Sequence, residues 1–157
     1  MIFFKQIRRF AYLVVLTVFA FIEMGHLGLS RRTFEFFIYE KDLSVVEDRM
    51  LHKTSSLEND IKSYLEELIL GPVSLDLAPL VTKGTKLRSF MYRNKTVYAD
   101  FSKEAALHVQ GGKPLFESFL ALNEGIRRNF DKVSDVRLFV NGNEVFFGEF
   151  SKFFRED

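Results

Sequence analysis

The stretch Tyr64-Leu-Glu-Glu-Leu-Ile-Leu-Gly-Pro72, with Gly84-Thr-Lys-Leu87 and the run to Asp100-Phe-Ser102 after it, decides the fold. Leu57, Ile61, Tyr64, Leu65, Leu68 and Ile69 recur at helical intervals and form one apolar stripe. Ser55 and Glu58 stand at capping-box spacing, which places the helix start there. Gly71 supplies a C-terminal cap in the left-handed αL conformation and Pro72 forbids another turn. Residues 73–83 read as a loop. Residues 87–92 and 95–101 then read as strands joined at Arg93-Asn94, because Asn tolerates the backbone that a two-residue hairpin needs. Ser102 is placed to cap a short helix over residues 103–106, and Gly111-Gly112 breaks it.

Working outward, residues 33–39 put Phe34, Phe36 and Ile38 on one face of a β-branched and aromatic segment, the pattern of a strand. Glu40-Lys41-Asp42 makes a turn, and residues 43–46 a short second extended piece. On the far side, Pro114 suits a first helical turn. Leu115, Phe119, Leu122, Ile126 and Phe130 then give a second long amphipathic helix. After a turn, Val136, Leu138 and Val140 alternate as a closing strand that ends at Asn141-Gly142. The expected class is α/β of the α+β kind, a three- to four-stranded mixed sheet with two long helices on one face. The order is β-α-β-β-(short α)-α-β.

The N-terminus follows a different logic. Lys5, Arg8 and Arg9 precede an apolar run from Phe10 to Ile22, and Arg31-Arg32 follow. The uninterrupted run is about 13 residues, the length of a signal core, but continued to Leu29 it reaches about 20 and can span a bilayer. No small-x-small cleavage pattern follows it, so residues 1–30 are expected to be an N-terminal membrane anchor or uncleaved signal. Residues 31–157 are then the α/β domain. More basic residues before the run than after it favour a cytoplasmic N-terminus. The expected location is therefore the cell membrane, single-pass, with the domain extracytoplasmic (periplasmic).

Composition limits the function. Lys and Arg number 22 against 21 Asp and Glu, and the basic residues are scattered, so no field draws nucleic acid. The absence of cysteine removes disulfides and thiolate chemistry. His26, His52 and His108 are never three or four residues apart, so they do not build a metal site. Asp100-x-Ser102-x-Glu104 reads as a strand end with a helix cap, not a cation loop, and Glu66-Glu67 as a solvated helix flank. Gly111-Gly112-Lys113-Pro114 lacks the strand and spacing of a P-loop, and no serine has a base pattern beside it. Catalytic, cofactor-binding and metal residues are all expected to be absent. The 19 Phe exceed what so small a core absorbs, so some aromatics should face a partner. Taking alternate positions as outward, that surface would comprise Phe37, Tyr39, Phe90, Tyr92, Tyr98, Phe147 and Phe150, unless the second layer of a thin sheet buries them.

In order and spacing these segments resemble the GerMN domain family, linked by name to sporulation and germination. The resemblance rests on Phe36-Phe37 with Asp42, Val45, Glu47 and Arg49, and on Leu65 to Pro72. It continues through Gly84-Thr85-x-Leu87, Val97-x-x-Asp100-Phe101-Ser102 and Gly111-Gly112 with Glu117. It ends with Phe130, Val133, Val136 and Val140-Asn141-Gly142, so that it spans residues 33–148. The family's usual proline before x-Gly-Thr is Thr82 here. The resemblance implies a compact α/β domain similar to ring-building motifs, non-enzymatic work at a bacterial envelope, and no catalytic residues to carry over. The expected function is a membrane-anchored protein-interaction or assembly domain, contacting another protein or copies of itself. The alternative is a cell-wall glycan (peptidoglycan) binding module.

Overall fold

Alternating large apolar side chains need a second layer to bury them, and the chain supplies it by wrapping two sheets around two helices. The structure, a computed structural model, describes residues 12–19 and 28–145. Residues 12–19 are helical (α1) and carry exposed Leu13, Val15, Leu16 and Phe19. β1 (Leu29–Ile38) runs antiparallel to β2 (Ser44–His52), and its last two residues also pair with the two-residue β3 (Leu77–Ala78). Between them in sequence lies α2 (Leu57–Leu70). The hairpin of β4 (Leu87–Arg93) and β5 (Thr96–Phe101) leads through a 3-10 turn at Lys103–Ala106 to α3 (Leu115–Asn129). The chain then returns as β6 (Asp135–Val140), parallel to β5, and finishes the described region with β7 (Asn143–Val145).

The expected single mixed sheet is corrected to two. The strands order as β2-β1-β3 and as β4-β5-β6-β7, and only the second sheet is mixed. Two helices with long apolar stripes cause the split. α2 packs on both β2 and β4, and α3 on both β1 and β6, so the helices separate strands that would otherwise adjoin. Phe34 and Phe36 from one sheet and Val97, Phe101 and Leu138 from the other meet Ile61, Tyr64, Leu65, Leu68, Phe119, Leu122 and Ile126 in one core. Phe101 meets Phe119 edge-on and Tyr64 stacks on Phe34, geometries that add to area burial.

The helices come very close at one point. A Cβ on Gly125 would lie 2.6 Å from the Tyr64 hydroxyl, so that position admits only glycine without movement of the ring. The Tyr64 hydroxyl donates to the Thr33 carbonyl at 3.3 Å, and burial raises its pKa.

Boundaries moved where side chains found other partners. The first helix takes Ser56, not Ser55, as its N-cap, without a side-chain cap bond. Glu58, expected to close a capping box, instead accepts the Tyr92 N–H at 3.0 Å and ties the helix to β4. Gly71 ends the helix as expected, but at φ 88° and ψ −176°, outside the αL region. The β4–β5 turn sits one residue later than expected, at Asn94 and Lys95, with φ 51° and 63°. Asn141 and Gly142, at φ 51° and 82°, end β6 as expected, but β6 is not the closing strand, since they turn the chain into the β6–β7 hairpin. Pro114 is an N-cap and not a first-turn residue. Among the described residues no helix is long and apolar enough to cross a membrane. The rest of the expected anchor, residues 1–11 and 20–27, lies outside the described residues.

Candidate interaction surface

β2 has one face turned to the core and one edge that pairs with no strand among the described residues. Its core face holds Arg49, which reaches Glu47 at 2.9 Å, the Gly71 carbonyl at 2.7 Å and Glu67 at 3.4 Å, and lies over the Phe34 ring. Its Nε is buried without a hydrogen-bond partner. Glu47 in turn accepts the N–H groups of Val73 and Ser74 at 3.2 and 3.1 Å. Burial alone would raise the Glu47 carboxyl, but Arg49 and those two N–H groups outweigh it and hold it below the usual carboxylate range. The pair thus fastens the Gly-Pro loop after α2 onto the strand. That loop leaves Leu70, Val73 and Leu75 exposed by 77%, 80% and 93%.

The outer edge is set by register. Ile38 N donates to Leu43 O and Lys53 N to Gly28 O, with partners throughout the β1–β2 ladder in step. Antiparallel alternation therefore spends the backbone groups of Val45, Glu47, Arg49 and Leu51 on β1. Those of Ser44, Val46, Asp48, Met50 and His52 point outward. None of these outward groups meets a partner among the described residues. The same five side chains lie on the solvent face and all are exposed.

The opposite flank of the sheet is covered at two places, Thr33 and the end of β1. At Thr33, where no strand pairs, the Asn129 side chain accepts the Thr33 N–H at 2.9 Å and donates to its carbonyl at 2.7 Å, as a neighbouring strand would. Arg32 donates to the Asn129 carbonyl at 2.5 Å and lies over the Phe130 ring, and Arg128 pairs with Glu35 at 3.0 Å. β3 covers Phe37 and Ile38.

The expected aromatic surface is not brought to one place. Phe90 and Tyr92 stand opposite Ala99 and Val97, on the core side of their sheet, and pack against the core. Tyr98, one residue out of step, shares the other face with Met91 and borders a cleft of about 300 Å³ with Asp100 and Phe139. Phe37 packs against the core beneath the Lys113 ammonium, 5.4 Å from its ring centre. Tyr39, 39% exposed, stands at the end of β1 against Gly111. There it lines an open cleft of about 630 Å³ with Glu40, Lys83 and His108. Phe147 and Phe150 lie outside the described residues. The five described aromatics therefore share no single face.

The other polar residues that stand out in the sequence are structural. Asp100 accepts the Gly142 N–H at 3.0 Å and pairs with Arg88, which braces the β6–β7 turn. Ser102 is the N-cap residue of the 3-10 turn, as expected, but makes no side-chain cap bond; its hydroxyl instead accepts the Lys86 N–H and extends the β4–β5 ladder. Lys113 pairs with Asp42 and Glu117, and Glu66 with Lys62. His52 and His108 are far apart in the fold, and among the described residues no group of His, Asp and Glu could hold a metal ion. The free edge escapes sequence reading because Glu47 and Arg49 face the core, so residues 47–52 show no apolar alternation. The available signal was length. A strand pairing the whole of β1 has to run on to His52.

A family model named Germane and described as sporulation and spore germination matches residues 36–146. Among solved structures, the first GerMN domain of the sporulation protein GerM from Bacillus subtilis superposes with a TM-score of 0.52 at 23% identity. That match covers 72% of this chain and 85% of the other. The tandem GerMN domains of GerM give a TM-score of 0.50 at 21% identity over 74% of this chain and 41% of theirs. The chain thus spans less than half of the tandem protein. No curated protein sequence matches it.

Proposed function

The chain belongs to the Germane family of sporulation and spore germination domains, and from that premise we propose that it is a membrane-anchored, non-enzymatic interaction domain of the bacterial cell envelope. The observation that carries the reading is the free edge of β2 beside the exposed Leu70, Val73 and Leu75. An edge strand of nine residues with no partner among the described residues is a template for another chain. The apolar run of residues 10–22, with basic residues ahead of it, supports an anchor and an extracytoplasmic domain. Anchoring raises local concentration, so weak contacts suffice. Proximity crosslinking of the full chain in its native cells tests the reading. It should capture envelope proteins or further copies of the chain, and labelling of cytoplasmic proteins alone would overturn it.

The glycan-binding alternative is favoured by one observation, the half-exposed Tyr98 beside Phe139 and Asp100 on the open face of the four-stranded sheet. Purified peptidoglycan should retain the protein and lose it on Tyr98→Ala if that face binds sugar. Equal retention of both forms removes the alternative.

A further inference from the structure

The outward-pointing residues of β2 read Ser44, Val46, Asp48, Met50, His52, a set centred on Asp48. We infer that this edge pairs with the same edge of a second copy, antiparallel about a two-fold axis at Asp48, to make one continuous six-stranded sheet. The inference rests on the interaction-domain reading above and names the partner and the surface.

Three features select this occupant and this register. Only a register centred on Asp48 lets all five outward residues bond at once, since Ser44 then meets His52 of the second copy, Val46 meets Met50, and Asp48 meets itself. A shift of two residues in either direction strands one residue of each copy and puts Val46 or Met50 opposite Asp48. The centred register matches apolar with apolar twice on the solvent face, where Val46 and Met50 are 49% and 59% exposed. It also sets Glu47 of one copy opposite Arg49 of the other, so the inner faces are complementary in charge. The one adverse contact, Asp48 against Asp48, is eased by Arg31, which already pairs with Asp48 within each copy. Such a contact is isologous and closes at two copies, unlike the head-to-tail contact that a ring requires.

The chain contains no cysteine, so single cysteines report the contact directly. The full chain carrying Asp48→Cys, in detergent micelles with a short bifunctional thiol crosslinker, should give about tenfold more dimer than a Met91→Cys control on the other sheet. Adding Val46→Lys and Met50→Lys to the Asp48→Cys chain should return the yield to the control level with circular dichroism unchanged. Equal yields from Asp48→Cys and Met91→Cys, or crosslinking untouched by the two lysines, would overturn the two-fold pairing. Should self-crosslinking fail while native-cell crosslinking still captures another envelope protein, the pairing falls and the interaction-domain reading stands.

Discussion

The two flanks of the three-stranded sheet are treated in opposite ways. Beyond β1, the Asn129 side chain takes the place of a strand at Thr33, Arg32 and Arg128 tie the last turn of α3 down, and β3 pairs Phe37 and Ile38. The backbone groups of Arg31 and Glu35 on that side meet no partner among the described residues. Beyond β2, five residues leave their backbone groups without a partner among the described residues. The strand carries charges, Asp48 outward and the Glu47–Arg49 pair inward, but neither proline nor bulge nor a covering helix. The covered positions lie next to the core, where an unmatched N–H or C=O costs stability. The open flank lies in solvent, where water satisfies it and nothing forces closure. The difference separates a surface built for stability from one left available.

Perturbing each side of β2 and each flank of the sheet should reproduce this contrast. The largest loss is expected on the core face of β2. Arg49→Met removes the cation from a half-buried Glu47 and unpins the Gly71 carbonyl, and should cost about 3 kcal/mol in urea unfolding. A cost under about 1 kcal/mol would mean that the loop after α2 holds without it. Asn129→Ala opens the flank at Thr33 by leaving its N–H unpaired and its carbonyl with only the Tyr64 hydroxyl at 3.3 Å, at about 2 kcal/mol. An unchanged urea midpoint would show that water replaces the side chain and that the flank is less sealed than its geometry implies.

A smaller effect comes with pH. The Glu47 carboxyl has a depressed folded-state pKa, so the stability it contributes is present above its unfolded value of 4.5 and lost as pH falls through the folded value. Unfolding midpoints of the native chain should therefore drop below about pH 4.5, and Glu47→Gln should flatten that fall. Parallel profiles for the two proteins would remove Glu47 as a contributor. The least effect on folding is expected at the open edge. Val46→Lys with Met50→Lys should leave the stability of the isolated copy within about 0.5 kcal/mol of the native chain. A larger loss would mean that these side chains are covered within one copy.

Much of the architecture was readable from pattern alone. The stripes Leu57 to Ile69 and Leu115 to Phe130, Gly71 before Pro72 and the β4–β5 hairpin sit where periodicity and backbone chemistry put them, to within a residue or two. The candidate surface was scarcely readable. Outwardness was assigned strand by strand from alternation, which cannot say which of two faces meets a helix. Phe90 and Tyr92 therefore went to the wrong side of their sheet relative to Tyr98. The second half of β2 was missed because an ion pair facing the core looks, in one dimension, like polar residues facing water.

The sequence by itself determined the helices, the turns and the family, because these follow from spacing between near neighbours and from the backbone freedom of Gly, Asn and Pro. Only the tertiary structure decided that there are two sheets, that Asn129 covers one flank at Thr33, and that β2 leaves the other open. Those outcomes depend on contacts between residues as far apart as Thr33 and Asn129, where a side chain's partner is fixed by packing in three dimensions and leaves no local trace.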